Sequence, residues 1–421
     1  MLSLLALLSP SSSCPTCIAP THSWATLPVS FHASAIRTNE RGEFSAAQLA
    51  TVARFPLVTL EKWQGSGAVH AATGAPAFLW EEDAWVAAAR QVKAARKAQS
   101  ADGAGEVSVV AWMDSTQVYT GWVFPPNLTA CAHCTVDPRA HGALVNHTYN
   151  ADVYAVQGRS RAAEYMERRP GLLVANTSDP RGAPATAWGG LHVYDFAQPA
   201  VQALWRQNCL ALTASGAIDG CGADFSGHPK DASDAWIAGH EAMLRDTTRA
   251  LGSEGLVVGK DWGELGDYVS AILHEGCTAS NDTITSFRAL AQRAKASGAR
   301  LVAQCHFGHP NIVVPLNATA AEDTAAAFLC GAGADHYYVT GPWRDDHAFD
   351  LGNFSSHWLP SIMGRPLGAP LADAVYEAEG AVWSRAFASG TKVTFDARAN
   401  RGSIAWSDEG GAPSALTAVH S

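Results

Sequence analysis

Between residues 28 and 340, short runs rich in Val, Ile and aromatic residues alternate with Ala-rich segments, and this alternation constrains the fold most strongly. The short runs are typical of buried strands, whereas the segments between them carry apolar residues at helical spacing. Repeated strand–helix units predict a parallel sheet covered by helices, and eight of them predict a (β/α)8 TIM barrel. A doubly wound open sheet is the rival fold, and it is disfavoured because no Gly-rich phosphate loop opens any predicted helix.

The element bounds follow from these periodicities. The predicted barrel strands are Pro28–Ala33, Pro56–Trp63, Val107–Asp114, Ala217–Asp224, Leu256–Asp261, Val269–Glu275, Arg300–His306 and Ala334–Thr340, with an extra short strand over His192–Phe196. The predicted helices are a segment from the N-cap Ser45 through Ala53, then Glu82–Ala98, Pro199–Ser215, Ala235–Leu251, Ile284–Ser297 and Ala320–Cys330.

Changes in composition divide the chain into three parts. Residues 1–22 are predicted to be a signal peptide or N-terminal tail, residues 23–364 the barrel, and residues 365–421 a C-terminal extension and tail. An insertion over about residues 115–190 follows the third strand, and its length predicts a lid-like loop or a small subdomain. Alternating runs after residue 365 predict two or three antiparallel strands that pack beside the barrel and are not an independently stable domain.

Several features indicate a secreted protein. The N-terminal run MLSLLALLS resembles the apolar part of a secretory signal, although no Lys or Arg precedes it. No later stretch approaches the length of a membrane span. Chance predicts one or two N-x-[ST] sequons, but six are present, which favours a glycoprotein. They lie at Asn127, Asn146, Asn176, Asn281, Asn317 and Asn353.

The nine cysteines are compatible with an oxidising compartment. Cys131 and Cys134 have the CxxC spacing of a zinc site, but no second pair completes it, so a local disulfide is the favoured interpretation. Cys209 and Cys221 flank a predicted helix-to-strand passage and are candidates for another disulfide. If Cys14 is removed with Cys17 in a signal peptide, an odd number of cysteines remains.

The predicted strands repeatedly end in acidic residues. A carboxylate at the end of a hydrophobic strand is costly to desolvate unless it is paired or faces a polar cleft. Because the carboxyl ends of TIM-barrel strands lie at one mouth, these acids predict one acidic cleft, although some of them could instead cap the following helices. The acids are Glu61, Asp114, Asp224, Asp261 and Glu275. Paired carboxylates are what cleavage of a glycosidic bond requires.

Histidine and tryptophan residues flank these acids in the sequence. For any one of them core packing is the commoner role, but together they predict a site that holds sugar hydroxyls and stacks on sugar rings. The predicted substrate-binding set is His32, Glu61, Trp63, Asp114, Asp261, Trp262 and His306, with Trp112 and His274 nearby.

Several runs resemble the glycoside-hydrolase-like barrels distantly related to the endo-α-1,4-polygalactosaminidases. These are the opening FHASAIRTNERGEFSAAQLATVARFPLVTLEKWQG, then VYDFAQPAVQALWRQ, GAIDGCGADFS, AILHEG and the closing WSRAFASGTKVTF. The resemblance covers about residues 28–406 without the insertion. It implies that Asp224 is the nucleophile or general base and that Glu275 is the acid/base residue. Asp219 falls on the opposite strand face by period-two alternation and is expected to be structural.

The leading hypothesis is a secreted glycoside hydrolase that acts on an extracellular polysaccharide or glycan, without a metal or other cofactor. A catalytically inactive carbohydrate-binding barrel is the first alternative. A metal-assisted hydrolytic or lytic barrel with His32, His306 and the acids as ligands is the second, but no HxH or HxxxH pair supports it. A formal charge of −10 argues against a nucleic-acid partner. Nothing in the sequence indicates the oligomeric state.

Overall fold

A computed structural model gives the architecture of the chain. It describes residues 22, 24–32, 38, 42–61, 81–99, 106–114, 117–118, 134–136, 144–146, 169–174, 192–224, 232–260, 268–297, 301–307, 318–340, 362 and 364–407. Most of the predicted insertion and the N-terminal segment 1–21 lie outside these residues. Five of the six sequons also do so wholly or in part, as does Cys131. No helix among the described residues is long and apolar enough to cross a membrane.

Eight parallel strands close into a barrel, so the predicted TIM barrel is confirmed and the open sheet is excluded. In chain order the strands are β1 (Val29–His32), β2 (Leu57–Leu60), β3 (Ser108–Asp114), β4 (Gln117–Val118), β5 (Cys134–Val136), β6 (Leu144–Asn146), β7 (His192–Val193), β8 (Gly220–Asp224), β9 (Leu256–Lys260), β10 (Ala271–Cys277), β11 (Val302–Phe307) and β12 (His336–Thr340). The barrel runs β1-β2-β3-β8-β9-β10-β11-β12 and closes where β12 pairs with β1. Strand β4 pairs with β7, and β5 pairs with β6, as separate antiparallel ribbons.

In the part of the chain that the structure describes, six α-helices pack around the barrel. They are α1 (Ala46–Val52), α2 (Glu81–Gln99), α3 (Pro199–Thr213), α4 (Asp234–Leu251), α5 (Asn281–Ser297) and α6 (Ala318–Gly331). The predicted N-cap Ser45 forms a reciprocal capping box with Gln48 at the start of α1. Ser233 caps α4 by a single bond, in which its hydroxyl accepts from the amide of Trp236. Each predicted helix is present within three residues of its expected ends because the apolar spacing of an amphipathic helix is a strong local signal.

The residues of each barrel strand fall into two sets, one facing the helices and one facing the barrel interior, because side chains alternate between the two faces of a strand. One set packs outward under the helices in the main core, as Val58 and Cys221 do. The other set fills the barrel interior with apolar side chains in a second cluster. This interior cluster comprises Leu57, Val110, Trp112, Leu256, Val258, Ala271, Leu273, Val302, Tyr337 and Val339. The barrel interior is therefore a packed, mainly apolar core that also contains the buried polar residues Ser30, Thr59 and Gln304.

Two disulfides hold barrel strands in place. Cys209 of α3 pairs with Cys221 of β8, as the sequence suggested, with their Cα atoms 5.9 Å apart. Cys277 of β10 pairs with Cys305 of β11, a bridge that the sequence analysis did not anticipate. Among the described residues, Cys330 remains a buried free thiol.

The C-terminal extension forms a four-stranded antiparallel sheet, one strand more than the largest number predicted. Its strands are β13 (Val375–Glu377), β14 (Val382–Ala386), β15 (Lys392–Asp396) and β16 (Arg401–Ala405). The sheet packs on α6 through apolar residues such as Phe395 and Ile404, which belong to the same core as the barrel. Arg385 of β14 donates to the carbonyl oxygens of Leu329 and Ala332 at the end of α6, each at 2.7 Å. The extension thus shares its core with the barrel.

Candidate active site

The inward-facing positions at the C-terminal mouth of the barrel are nearly all polar. Because side chains alternate along each strand, β1, β8, β9, β10 and β11 each contribute one residue to this mouth, and the residue that follows β2 is the sixth. These side chains are His32, Glu61, Asp224, Lys260, Glu275 and His306. Such a polar layer above an apolar interior is where TIM-barrel chemistry takes place.

Lys260 bridges the two acids at the ends of β8 and β10. Its Nζ lies 3.0 Å from Oδ1 of Asp224 and 2.7 Å from Oε2 of Glu275. Because both oxygens contact one nitrogen at 3.0 Å and 2.7 Å, they are no more than 5.7 Å apart. The Asp224 side chain is 4% exposed, the Glu275 side chain 11% and the Lys260 side chain 23%, so the mouth side of the cluster is its open side.

Burial and neighbouring charges set the protonation of this cluster. Desolvation raises the pKa of Glu275, and the negative charge of Asp224 raises it further, whereas Lys260 and His32 lower it. Burial alone would favour a neutral Lys260 amine, but the two carboxylates outweigh burial and hold its pKa above the usual value. The cluster therefore combines a stable ammonium group with one carboxyl group, that of Glu275, that is biased towards its neutral form.

A second buried pair stands on the opposite side of the mouth. His32 Nε2 lies 2.7 Å from Oε2 of Glu61, and the two side chains are 0% and 2% exposed. The Trp85 indole N–H donates to the Glu61 carbonyl oxygen at 3.1 Å and fixes the end of β2. The His32 ring lies 5.0 Å from the Trp112 ring and 6.3 Å from the His306 ring, centroid to centroid.

Beneath these groups lie buried polar atoms that have no hydrogen-bond partner among the described residues. They are Nε1 of Trp112, Oγ1 of Thr59, Oε1 of Gln304 and Oε1 of Glu275. Gln304 does use its amide nitrogen, which donates to Ser30 Oγ at 3.0 Å. Buried donors and acceptors without partners are uncommon in a settled core, and they concentrate where a ligand supplies the missing bonds.

Trp112 occupies its position because the neighbouring strand has no side chain there. A Cβ atom on Gly222 would overlap the Trp112 ring, so only glycine at this position of β8 accommodates the indole. The same strand carries Asp224 two residues later, on the same face. The glycine therefore places an indole beside the acid cluster.

The structure brings together five of the predicted site residues: His32, Glu61, Asp224, Glu275 and His306. Asp114 ends β3 in register with Asp224, but its side chain is not described. Trp63, Asp261 and Trp262 lie outside the described residues. His274 alternates away from the mouth, and burial lowers its pKa to about 4.

Lys260 was missed because the sequence analysis assigned Asp261, and not Lys260, to the mouth end of the fifth strand. Leu256 and Val258 of β9 both belong to the interior cluster, so the same alternation places Lys260 at the mouth.

Asp219 lies at the opposite end of β8 from Asp224. Its carboxylate accepts from Lys93 Nζ at 2.7 Å and from the Val109 amide at 2.8 Å. These bonds tie α2 and β3 to the start of β8, which fits the structural role expected for Asp219.

A closed (β/α)8 barrel with acids clustered at its C-terminal mouth belongs to the class of glycoside-hydrolase-type TIM barrels. More particularly, residues 144–391 match the model of hypothetical glycosyl hydrolase family 15, and the chain belongs to this family. No curated protein matches the chain.

Solved structures of glycoside hydrolases are similar at low sequence identity. The glycoside hydrolase domain of PelA from Pseudomonas aeruginosa shares 14% identity at a TM-score of 0.40, over 75% of this chain and 95% of that one. A GH27 β-L-arabinopyranosidase from Geobacillus stearothermophilus shares 11% identity at a TM-score of 0.44, over 89% and 86% of the two chains. The GH36 α-galactosidase AgaA from the same organism shares 12% identity at 0.41, over 88% and 47%.

Proposed function

We propose that this protein hydrolyses O-glycosidic bonds of an extracellular polysaccharide or glycan, with Asp224 and Glu275 as its catalytic carboxylates. The observation that carries the proposal is the bridge from Lys260 to both acids, which holds them together at the mouth. Membership of a glycosyl hydrolase family supports a carbohydrate substrate.

The environments of the two acids support different roles. The raised pKa of Glu275 favours a protonated carboxyl group, which suits the donor of a proton to the leaving oxygen. Asp224 contacts the same Lys260 ammonium at 3.0 Å, and we assign it as the carboxylate that attacks the anomeric carbon. After the first bond breaks, Glu275 is ionised and can accept a proton from the water that releases the sugar.

The separation of the acids favours retention of anomeric configuration. In retaining glycosidases the two carboxyl groups stand about 5–5.5 Å apart, whereas inverting enzymes leave about 6.5–9.5 Å for a water molecule. The limit of 5.7 Å set by the two contacts of 3.0 Å and 2.7 Å to Lys260 falls near the first range. A covalent glycosyl–Asp224 intermediate is therefore expected.

The remaining polar groups of the mouth are the proposed sugar contacts. His32, Glu61 and His306 lie in the same layer as the acids, and the unpartnered indole N–H of Trp112 can donate to a hydroxyl. Trp63, Asp114, Asp261 and Trp262 are proposed to contribute from the loops that follow their strands.

The test compares Asp224→Asn and Glu275→Gln with the native protein on a panel of polysaccharides, by release of reducing ends. Each change is expected to reduce kcat by at least about a thousandfold, because a group acting in the transition state is lost. Asp246→Asn is the matched control, since that carboxylate pairs only at the surface with Arg206 and Arg249. Full activity in either site variant, with native circular dichroism, would remove the assignment.

Proton NMR of the first-formed product tests the stereochemistry. Retention predicts that the initial anomer has the configuration of the substrate and later mutarotates. An initial anomer of opposite configuration would contradict the nucleophilic role of Asp224 but would leave the acid role of Glu275 intact.

An inactive carbohydrate-binding barrel is the second candidate, and one observation favours it. The Lys260 ammonium lies between the two acids, where it occupies part of the space that a scissile bond would need. Calorimetric binding of a glycan by the native protein without release of reducing ends would support this function.

We also infer that the protein is secreted. The apolar N-terminal run and the six sequons support export, and the two disulfides fit an oxidising compartment. Expression in a eukaryotic secretory host, followed by N-terminal sequencing and glycopeptide mass spectrometry, tests this inference.

A further inference from the structure

A cavity of about 120 Å³ lies between helix α5, the end of α6 and the C-terminal sheet. Residues 331–333 of its wall lead into the N-terminal end of β12, so the cavity is at the end of the barrel opposite the acids. Three cationic side chains line it, namely Arg288, Lys295 and Arg385, against the single carboxylate of Asp373. This cationic cavity stands out in a chain whose formal charge is −10.

Both guanidinium groups of the cationic cavity are held in place. Arg385 is buried and donates to the carbonyl oxygens of Leu329, Ala332 and Ala372. Arg288 donates to the Ala374 carbonyl oxygen at 2.8 Å, and its Cζ lies 4.9 Å from the centre of the Trp383 ring. Neither group can swing away from the other without losing these contacts.

The positive charge of the cavity is only partly balanced. Asp373 is exposed, and solvent therefore weakens its attraction for the two guanidinium groups. Cys330 also lines the cavity, but burial raises the pKa of its thiol to about 12, so it adds no negative charge at neutral pH. Burial lowers the pKa of Arg385, the negative charge of Asp373 opposes that shift, and the positive charge of Arg288 adds a smaller lowering, so the two guanidinium groups repel each other.

We propose that this cationic cavity binds a small oxyanion, phosphate or sulfate, between Arg288, Lys295 and Arg385. A tetrahedral oxyanion has several acceptor oxygens and can accept from the guanidinium N–H groups that the contacts to carbonyl oxygens do not use, at Nη2 of Arg385 and at Nε and Nη2 of Arg288. Lys295 is exposed and supplies the third cation of the cavity wall. The bound anion would connect α5 to β14 and so stabilise the contact between the barrel and its C-terminal sheet.

Isothermal titration of the full-length protein with inorganic phosphate, at fixed ionic strength, tests the proposal. The expected result is saturable binding of one phosphate together with a rise in Tm. Lys295→Glu is expected to weaken binding at least tenfold, because it replaces a cation of the site by an anion, while Lys295→Arg keeps it. Lys97→Glu makes the same charge change on the exposed end of α2 and should bind as the native protein does.

Parallel titrations with sulfate, malonate and chloride distinguish the class of ligand. Binding of phosphate or sulfate in preference to malonate supports a tetrahedral oxyanion site, whereas equal shifts with chloride overturn it. Two further outcomes overturn the proposal: no saturable phosphate binding by the native protein, or equal weakening in Lys295→Glu and Lys97→Glu. Hydrolytic activity should be the same in all these variants, so the result is independent of the proposed function.

Discussion

At the scale of single residues, Lys260 is the group on which the behaviour of the acid pair depends. Its ammonium lowers the pKa of Glu275 and contacts Asp224. Replacing it with a neutral side chain of similar length removes the positive charge shared by both carboxylates. Each carboxylate should then hold its proton to a higher pH.

Lys260→Met is therefore expected to move both limbs of the pH profile of kcat/KM to higher pH. In the proposed mechanism the acid limb reports the nucleophile Asp224 and the basic limb the proton donor Glu275, and both groups lose the attraction of the Lys260 ammonium. The measurement is kcat/KM against pH for the native protein and the variant, and kcat should also fall about ten- to a hundredfold. Lys93→Met, which breaks the distant ion pair with Asp219, is the control and should leave both limbs in place. Limbs that stay fixed or move downward in Lys260→Met would contradict this account.

At the scale of elements, the pairing of β10 with β11 fixes the position of Glu275. The two strands pair Glu275 with His306, and the register then shifts before Cys277. Gly276 at the shift has a φ of 84°, a left-handed conformation that glycine adopts readily. The disulfide between Cys277 and Cys305 connects the strands directly beside this irregularity.

Replacing Cys277 and Cys305 together by Ala is expected to lower kcat about tenfold or more, since small displacements of a catalytic group are costly. Replacing Cys209 and Cys221 by Ala is the matched control, because that disulfide connects β8 to the outer helix α3. Loop lengths of 28 and 12 residues predict losses of about 4 and about 3 kcal/mol in the free energy of unfolding. Urea unfolding and kcat at low temperature separate the two effects, and equal kcat values in both double variants would contradict a positioning role.

Most elements of the barrel could be predicted from the sequence because each produces a local periodic signal. Helix α1 and its cap were predicted within one residue, as was the end of β8 at Asp224. Contacts between elements were harder to predict from the sequence, since they depend on barrel closure and on which strand face turns inward. Lys260 and the bridge between Cys277 and Cys305 were missed for this reason. The fourth strand of the C-terminal sheet, β13, was missed because its three residues are too few to show alternation.

At the scale of the whole molecule, the barrel and the C-terminal sheet are joined by polar contacts as well as by a common core. Arg385 satisfies carbonyl oxygens at the end of α6, a place where helices leave such groups without intrahelical partners. Asp323 of the same helix accepts from the Gly402 amide and pairs with Arg401. We therefore expect barrel and sheet to unfold together.

Arg385→Met is expected to lower the free energy of unfolding by about 2–4 kcal/mol, because it leaves buried carbonyl oxygens without donors. Arg398→Met in the same sheet removes an exposed bond to the Glu379 carbonyl oxygen and should cost less than about 1 kcal/mol. Urea unfolding followed by tryptophan fluorescence and by circular dichroism provides the measurement. Two separate transitions in the native protein, or equal losses in the two variants, would contradict joint unfolding.

The distribution of the mouth residues along the chain has a consequence for how the protein can diversify. Asp224, Lys260 and Glu275 come from three successive strands, β8 to β10, whereas His32 and Glu61 come from the first two βα units. The residues proposed to break the bond and some of those proposed to contact the sugar are thus encoded in different segments of the gene. Exchange of the first two units between family members would alter which sugar is accepted while leaving the acid pair and its lysine untouched.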